Sequence, residues 1–151
     1  MLDIINVYKS FNIDTPVQKD ALKGLELHLD KGYFVTVIGG NGAGKSTMLN
    51  AVAGVFPVEQ GNIKIDGHDV TKEPEFKRAK YIGRVFQDPL KGTAGDMQIE
   101  ENLALALRRG KHRSLKWGIS SKEREMFVEM LKDLDLGLES RMASKVGLLS
   151  G

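Results

Sequence analysis

Residues Gly39 to Asn50 read GGNGAGKSTMLN, and Gly39-Gly40-Asn41-Gly42-Ala43-Gly44-Lys45-Ser46 fits the pattern G-x-x-x-x-G-K-[ST]. Each part has a chemical reason if the ligand is a polyphosphate. Such a chain carries several negative charges, and backbone N–H groups ring it only where side chains do not intervene. Gly42 and Gly44 let the backbone curl through conformations that cost other residues dearly. The first turn of a following helix adds unpaired N–H donors and the positive end of a dipole. Lys45 is placed to reach the β- and γ-phosphates, Ser46 to give its hydroxyl to Mg2+, and Thr47 to donate to the α-phosphate. The competing reading is a glycine turn that precedes Lys-Ser by chance. The flanking elements decide between the two.

Before the glycines, YFVTVIG is a continuous apolar run rich in Val and Ile, as expected of a strand covered on both faces. After them, Ser46 to about Val55 reads as a helix that Pro57 helps to close. Strand, glycine loop and helix in that order make this a nucleotide site. Further out, Leu2 to Val7 is a short strand. In LELHLD, from Leu25 to Asp30, three leucines alternate with Glu26, His28 and Asp30, which marks a half-buried antiparallel strand. NIKIDG is a second alternating strand with Asp66-Gly67 as its turn. Glu73 to Lys80 is expected as a short helix and YIGRVF as another strand. Beyond residue 87 the character becomes helical. Glu100 to Arg109 opens with acids and closes with arginines, and Ser120 with Glu123 fits a capping box ahead of an apolar face at Met126, Phe127, Met130, Leu131 and Leu134. The fold class is therefore α/β: a P-loop core with an antiparallel β-subdomain over residues 1–90, and the start of a helical subdomain over 91–151.

Composition sets bounds without adding chemistry. At 151 residues there is chain for one real core, and 41% hydrophobic with 28% charged residues is ordinary for a globular protein. A net charge of +2 does not argue for nucleic acid, and the absence of cysteine excludes disulfides and thiolate metal sites. Apolar runs such as Phe34 to Ile38 are too short to span a bilayer, and Met1 leads into LDIINV without a secretory signal. A cytoplasmic α/β domain is the expectation.

Over essentially its whole length the chain resembles the ATP-binding subunit of an ABC transporter. The segments INVYKSF, LKGLELHLDKGYFVTVIGGNGAGKST, EQGNIKIDG, VFQDP and LLSG occur in that family's order. The resemblance implies ATP and Mg2+ as cofactors, with Gly39, Asn41, Gly42, Ala43, Gly44, Lys45, Ser46 and Thr47 around the phosphates. It also implies that Phe11 stacks on adenine, with Tyr8 as rival, and that Gln87 ligates Mg2+ beside Ser46 and assists at the γ-phosphate along with Lys45. Pro89, Leu90, Asp96, Met97 and Ile99 would meet transmembrane permease subunits. Leu149, Ser150 and Gly151 would open the signature sequence that contacts ATP held by a second nucleotide-binding subunit in a head-to-tail homodimer. The remaining implications are a substrate-binding protein as partner, peripheral attachment to the inner face of the cell membrane, and import as the direction. The transported solute is chosen by other subunits.

Departures accompany the match. Gly40 stands where the family often carries proline, which frees the loop without removing a ligand. No apolar strand running into Asp-Glu occurs, so the Mg2+-binding aspartate and the catalytic glutamate are missing, as is the switch histidine: none of His28, His68 and His112 has the context for it. No catalytic residue is therefore assigned, and ATP binding with little hydrolysis is expected. Arg108 to Arg113, RRGKHR, sits at a helix C-terminus with no aromatic platform, so a solvated end is the better reading than nucleic acid, with anionic lipid a lesser alternative. Trp117, Met126 and Met130 are read as packing residues. Two rivals stay open: a small P-loop kinase, with the basic segment as lid, and a soluble non-transport ABC ATPase.

Overall fold

Among the residues described by the computed structural model, 1–111 and 118–149, the chain divides into two compact units, Met1–Ile82 and Gly83–Gly151. The first is organised by an antiparallel sheet in which β1 (Leu2–Phe11) and β2 (Lys19–Leu29) pair along their length. β3 (Gln60–Ile65) lies on the other side of β1 and turns into the two-residue β4 (His68–Asp69), giving the order β2-β1-β3-β4. The turn at Asp66-Gly67 has positive φ at both positions, 48° and 80°, the conformation that a tight hairpin between twisted strands demands.

The alternation in LELHLD is realised: Leu25, Leu27 and Leu29 are half-buried while Glu26, His28 and Asp30 face water. The core joins Ile4, Val7 and Leu22 to Ile63, Ile65 and Val70, and seats Met48 and Ala51 of the helix α1 (Lys45–Ala53) against the sheet. On the outer face, His28 Nδ1 is 2.5 Å from Asp3 Oδ1 and its Nε2 is 3.3 Å from Asp30 Oδ1. The hydrogen bond to Asp3, then that to Asp30, raises the imidazole's affinity for a proton. His68 stacks on Tyr81, with ring centroids 5.6 Å apart, and has a packing role.

Two segments differ from expectation. Neither Phe34 to Ile38 nor Tyr81 to Phe86 forms a strand. Phe34 and Ile38 are each 92% exposed and Val85 98% exposed. A strand is a hydrogen-bonded ladder, so an apolar, β-branched run becomes one only beside a partner, and no described strand pairs with either run. LELHLD has such a partner in β1.

Behind α1 lies a residue that sequence reasoning passes over. Arg78, the last residue of α2 (Glu75–Arg78), is only 2% exposed. Its Nη1 donates to the carbonyls of Ala51 (2.7 Å) and Val52 (3.0 Å), Nη2 to Thr71 (2.9 Å) and Nε to Glu73 (2.8 Å). A buried cation at the carbonyl end of α1 satisfies acceptors that the helix cannot, and complements its dipole. Burial disfavours its charge, while Glu73 and Asp69 favour it.

In the second unit, α3 (Ile99–Leu107) and α4 (Ser121–Lys132) bury Ile99, Ala104, Phe127 and Leu131 together with Met142. The capping box is as expected: Ser120 Oγ accepts from Glu123 N, and the Glu123 carboxylate accepts from Ser120 N at 2.8 Å. Buried Glu100 takes both Nε and Nη2 of Arg124, at 2.7 and 2.9 Å. No helix among the described residues is long and apolar enough to cross a membrane.

Candidate nucleotide site

The glycine loop and α1 form as one local structure. Gly44 is the N-cap at φ 85° and Gly42 has φ 81°, both in the left-handed region where a side chain is strained. Space gives a second reason at Gly44, because a Cβ there would lie 2.7 Å from the carbonyl oxygen of Ala21 on β2. No side chain caps α1, and no acid stands in its first turn. Its leading N–H groups and the positive end of its dipole are thus left for a ligand anion.

Lys45 folds back over this loop. Its ammonium donates to the carbonyls of Gly39 at 2.6 Å and Gly40 at 2.8 Å, which uses two of its three donors and leaves one. Ala43 N closes the turn on Gly40 O at 3.3 Å, and Asn41 is exposed at the tip. Ser46 is exposed and Thr47 half-buried, and neither hydroxyl has a partner among the described residues. The donor set suits Mg2+, a hard cation that needs one or two protein oxygens and takes the rest from phosphate and water. Ser46 would supply one. No cluster of three or more His, Asp or Glu among the described residues offers a cage for a metal, so the charge would come from the nucleotide.

Phe11 ends β1 half-buried, with its ring edge-on to Phe56 at 5.3 Å and 88°, and the Lys9 ammonium 5.4 Å from both ring centres. Glu59 pins that ammonium at 2.8 Å. Tyr8 is exposed, with its hydroxyl beside Gly24.

In the second unit Gln87 is exposed, between Phe86, which carries the Arg84 guanidinium 4.5 Å above its ring, and Asp88. Asp88 caps the short turn Pro89–Gly92 by accepting from Leu90 N at 3.0 Å. Of the residues expected to face a membrane partner, Leu90 and Asp96 are exposed and Met97 is half-buried. Ile99 does not fit that role. It is 5% exposed, because as the first residue of α3 it packs into the core with Phe127 and Leu131. Asn102 organises the segment before it: its Oδ1 accepts from Ala94 N (2.8 Å), and its amide donates to the carbonyls of Ala94 (3.1 Å) and Gln98 (3.0 Å). An asparagine inside a helix was the available signal, since its amide competes for backbone groups. Residues 146 and 147 are tied to the same segment, with Val146 N on Met97 O at 3.0 Å and Gly147 N on Gly95 O at 2.9 Å. Leu149 packs on this core, while Ser150, Gly151, His112 and Trp117 lie outside the described residues.

The family model for ABC transporters matches residues 22–151. A tyrosine transport ATP-binding protein of Clostridioides difficile is 38% identical over 151 residues, which is all of this chain and 60% of the relative. A bacitracin export ATP-binding protein of Halalkalibacterium halodurans is 33% identical over 111 residues, 71% of this chain and 43% of the relative. Among solved structures, a dimeric ATP-binding cassette in a post-hydrolysis state, bound to ADP and Pi, matches with a TM-score of 0.78 and 29% identity over 99% of this chain and 63% of that one. A nucleotide-free cassette from an ABC transporter gives 0.71 and 27%, over 99% and 59%. The chain thus spans less than two thirds of these relatives, and its class is the α/β P-loop NTPase fold. Because the matched span takes in the Gln87 segment and the helices as well as the glycine loop, the chain belongs to the ABC transporter family and not merely to the wider set of P-loop proteins.

Proposed function

We propose that this chain binds ATP with Mg2+ through residues 39–47 and that, in the whole protein, ATP binding and hydrolysis drive solute transport. The observation that carries the reading is the loop itself: two left-handed glycines, an uncapped helix start, and the Lys45 ammonium held at the loop by the Gly39 and Gly40 carbonyls. Lys45 and the loop amides meet the phosphate charge, Thr47 donates to the α-phosphate, and Ser46 would offer an oxygen to the metal. Mg2+, when bound there, would neutralise part of the phosphate charge. The aromatic for the base is Phe11, braced from behind by Phe56.

Residues 1–90 act as the P-loop core with its β-subdomain, and 91–151 as part of the helical subdomain. Two copies pair head to tail; the dimeric cassette among the structural relatives supports dimerisation. Leu90 and Asp96 face permease subunits on the inner side of the membrane, and a substrate-binding protein delivers the solute to those subunits from the opposite side. Import is the proposed direction, and the relatives include both a ribose import protein, 34% identical over 133 residues, and the bacitracin export protein. Turnover by these 151 residues alone is slow, because no apolar strand leads into an Asp-Glu pair. Lacking such a base costs about 10²–10⁴ in rate.

The test is ATP titration of the chain and of Lys45→Ala. Loss of about 10²-fold or more in affinity is expected, since a charge-assisted contact and the loop's internal tie disappear together. Unchanged affinity in the variant, or no ATP binding by the parent chain, overturns the reading.

A further inference from the structure

The loop motif calls for one lysine, and the structure brings a second beside it. β2 is the edge strand of the sheet, and its first residues run along the glycine loop. The Ala21 carbonyl lies against Gly44, and two residues earlier the Lys19 ammonium lies 3.4 Å from where a Cβ on Gly42 would stand. Two steps along the strand therefore match two steps along the loop.

Lys19 has no hydrogen-bond or ion-pair partner among the described residues. The neighbouring carboxylate is already engaged: Asp20 accepts from Ser10 and Gln18 at 3.1 Å each, and Lys23 stands 3.9 Å from its second oxygen. Across the ladder Lys19 pairs with Phe11, and directly opposed residues share a face of the sheet. An ammonium placed at the glycine curl and left without an acceptor meets a ligand whose charge exceeds what Lys45 neutralises.

We propose that Lys19 is a further binding residue of this site, a second cation for the polyphosphate of a nucleoside di- or triphosphate, reaching the phosphates from the β2 side of the loop. The inference rests on the nucleotide reading above and adds to it a residue that the loop motif does not contain. Because Lys19 is exposed, replacing it leaves the fold intact.

The experiment measures displacement of a fluorescent ATP analogue by ATP, ADP and AMP, at low and moderate salt, for the parent chain, Lys19→Ala and Lys19→Arg. Lys19→Ala should weaken ATP about fivefold to tenfold at low salt, ADP less and AMP under twofold, with a shallower salt dependence. Arginine should restore most of the loss. ATP affinity within twofold of the parent overturns the inference, as does an equal loss for ATP and AMP, which would place Lys19 at the base or in loop shape. If Lys45→Ala abolishes binding while Lys19→Ala matches the parent, this inference fails and the nucleotide reading stands. If the parent chain does not bind ATP, both fail.

Discussion

Replacing Arg78 with methionine keeps most of the side-chain volume and removes every donor. The carbonyls of Val52, Thr71 and Glu73 then lose the partner the structure gives them, while Ala51 O keeps its bond from Gly54 N at 3.2 Å. A buried acceptor left without a partner costs about 1–3 kcal/mol. Three such losses, partly offset by release of the guanidinium's own desolvation and by water entering, give a net destabilisation of about 3 kcal/mol. For a chain of this size that is a fall of about 6–12 °C in melting temperature. The measurement is thermal unfolding by circular dichroism, with amide hydrogen exchange read along α1. Faster exchange should begin at the Ala51–Ala53 end, where Arg78 bonds, and Arg78→Lys should fall between parent and methionine. A melting temperature within about 2 °C of the parent would refute the argument, since it would show the carbonyls equally well served without the cation.

Two other outcomes follow from local geometry. Gly44→Ala puts a Cβ 2.7 Å from Ala21 O at φ 85°, so the loop must leave its curl, and ATP titration should show affinity reduced by about 10²-fold or more; retained affinity would show that the curl is dispensable. Hydrogen bonds with Asp3 and then Asp30 raise the folded pKa of His28 above the ordinary 6.5, so its contribution is complete below that value and fades as pH rises through the folded pKa. Melting temperature followed upward from about pH 6 should therefore decline more steeply for the parent than for His28→Asn, and parallel slopes would remove the assignment.

What the sequence makes legible is what is local. The glycine loop announces itself because its conformations are open to few residues and its lysine and serine stand at fixed offsets from them. The Ser120–Glu123 box spans a single turn, and the Asp66-Gly67 hairpin spans two residues, so each signal and its cause lie together. Strand pairing is not local: YFVTVIG carries all the propensity of a buried strand and still has no ladder, because propensity supplies no partner. Arg78 escapes for a related reason. In the sequence it is one of several charges on a short helix, and only the fold brings the carbonyls of Ala51, Val52 and Thr71 around it. Ile99 shows the opposite error, where a residue next to a presumed docking loop turns inward as soon as α3 sets its helical phase. Lys19 leaves no mark beyond being a lysine ahead of the apolar residues of β2.

The bare ribbon before the glycine loop has a practical consequence. Tyr33 to Ile38 holds six residues with neither charge nor proline, and its backbone amides have no strand beside them. Such a window is a template on which identical windows from other molecules stack as cross-β, each copy supplying the missing ladder to the next. For this polypeptide handled alone, colloidal lifetime should depend on concentration before it depends on temperature. A lysine at Val35 or Val37 would act as a gatekeeper against that stacking.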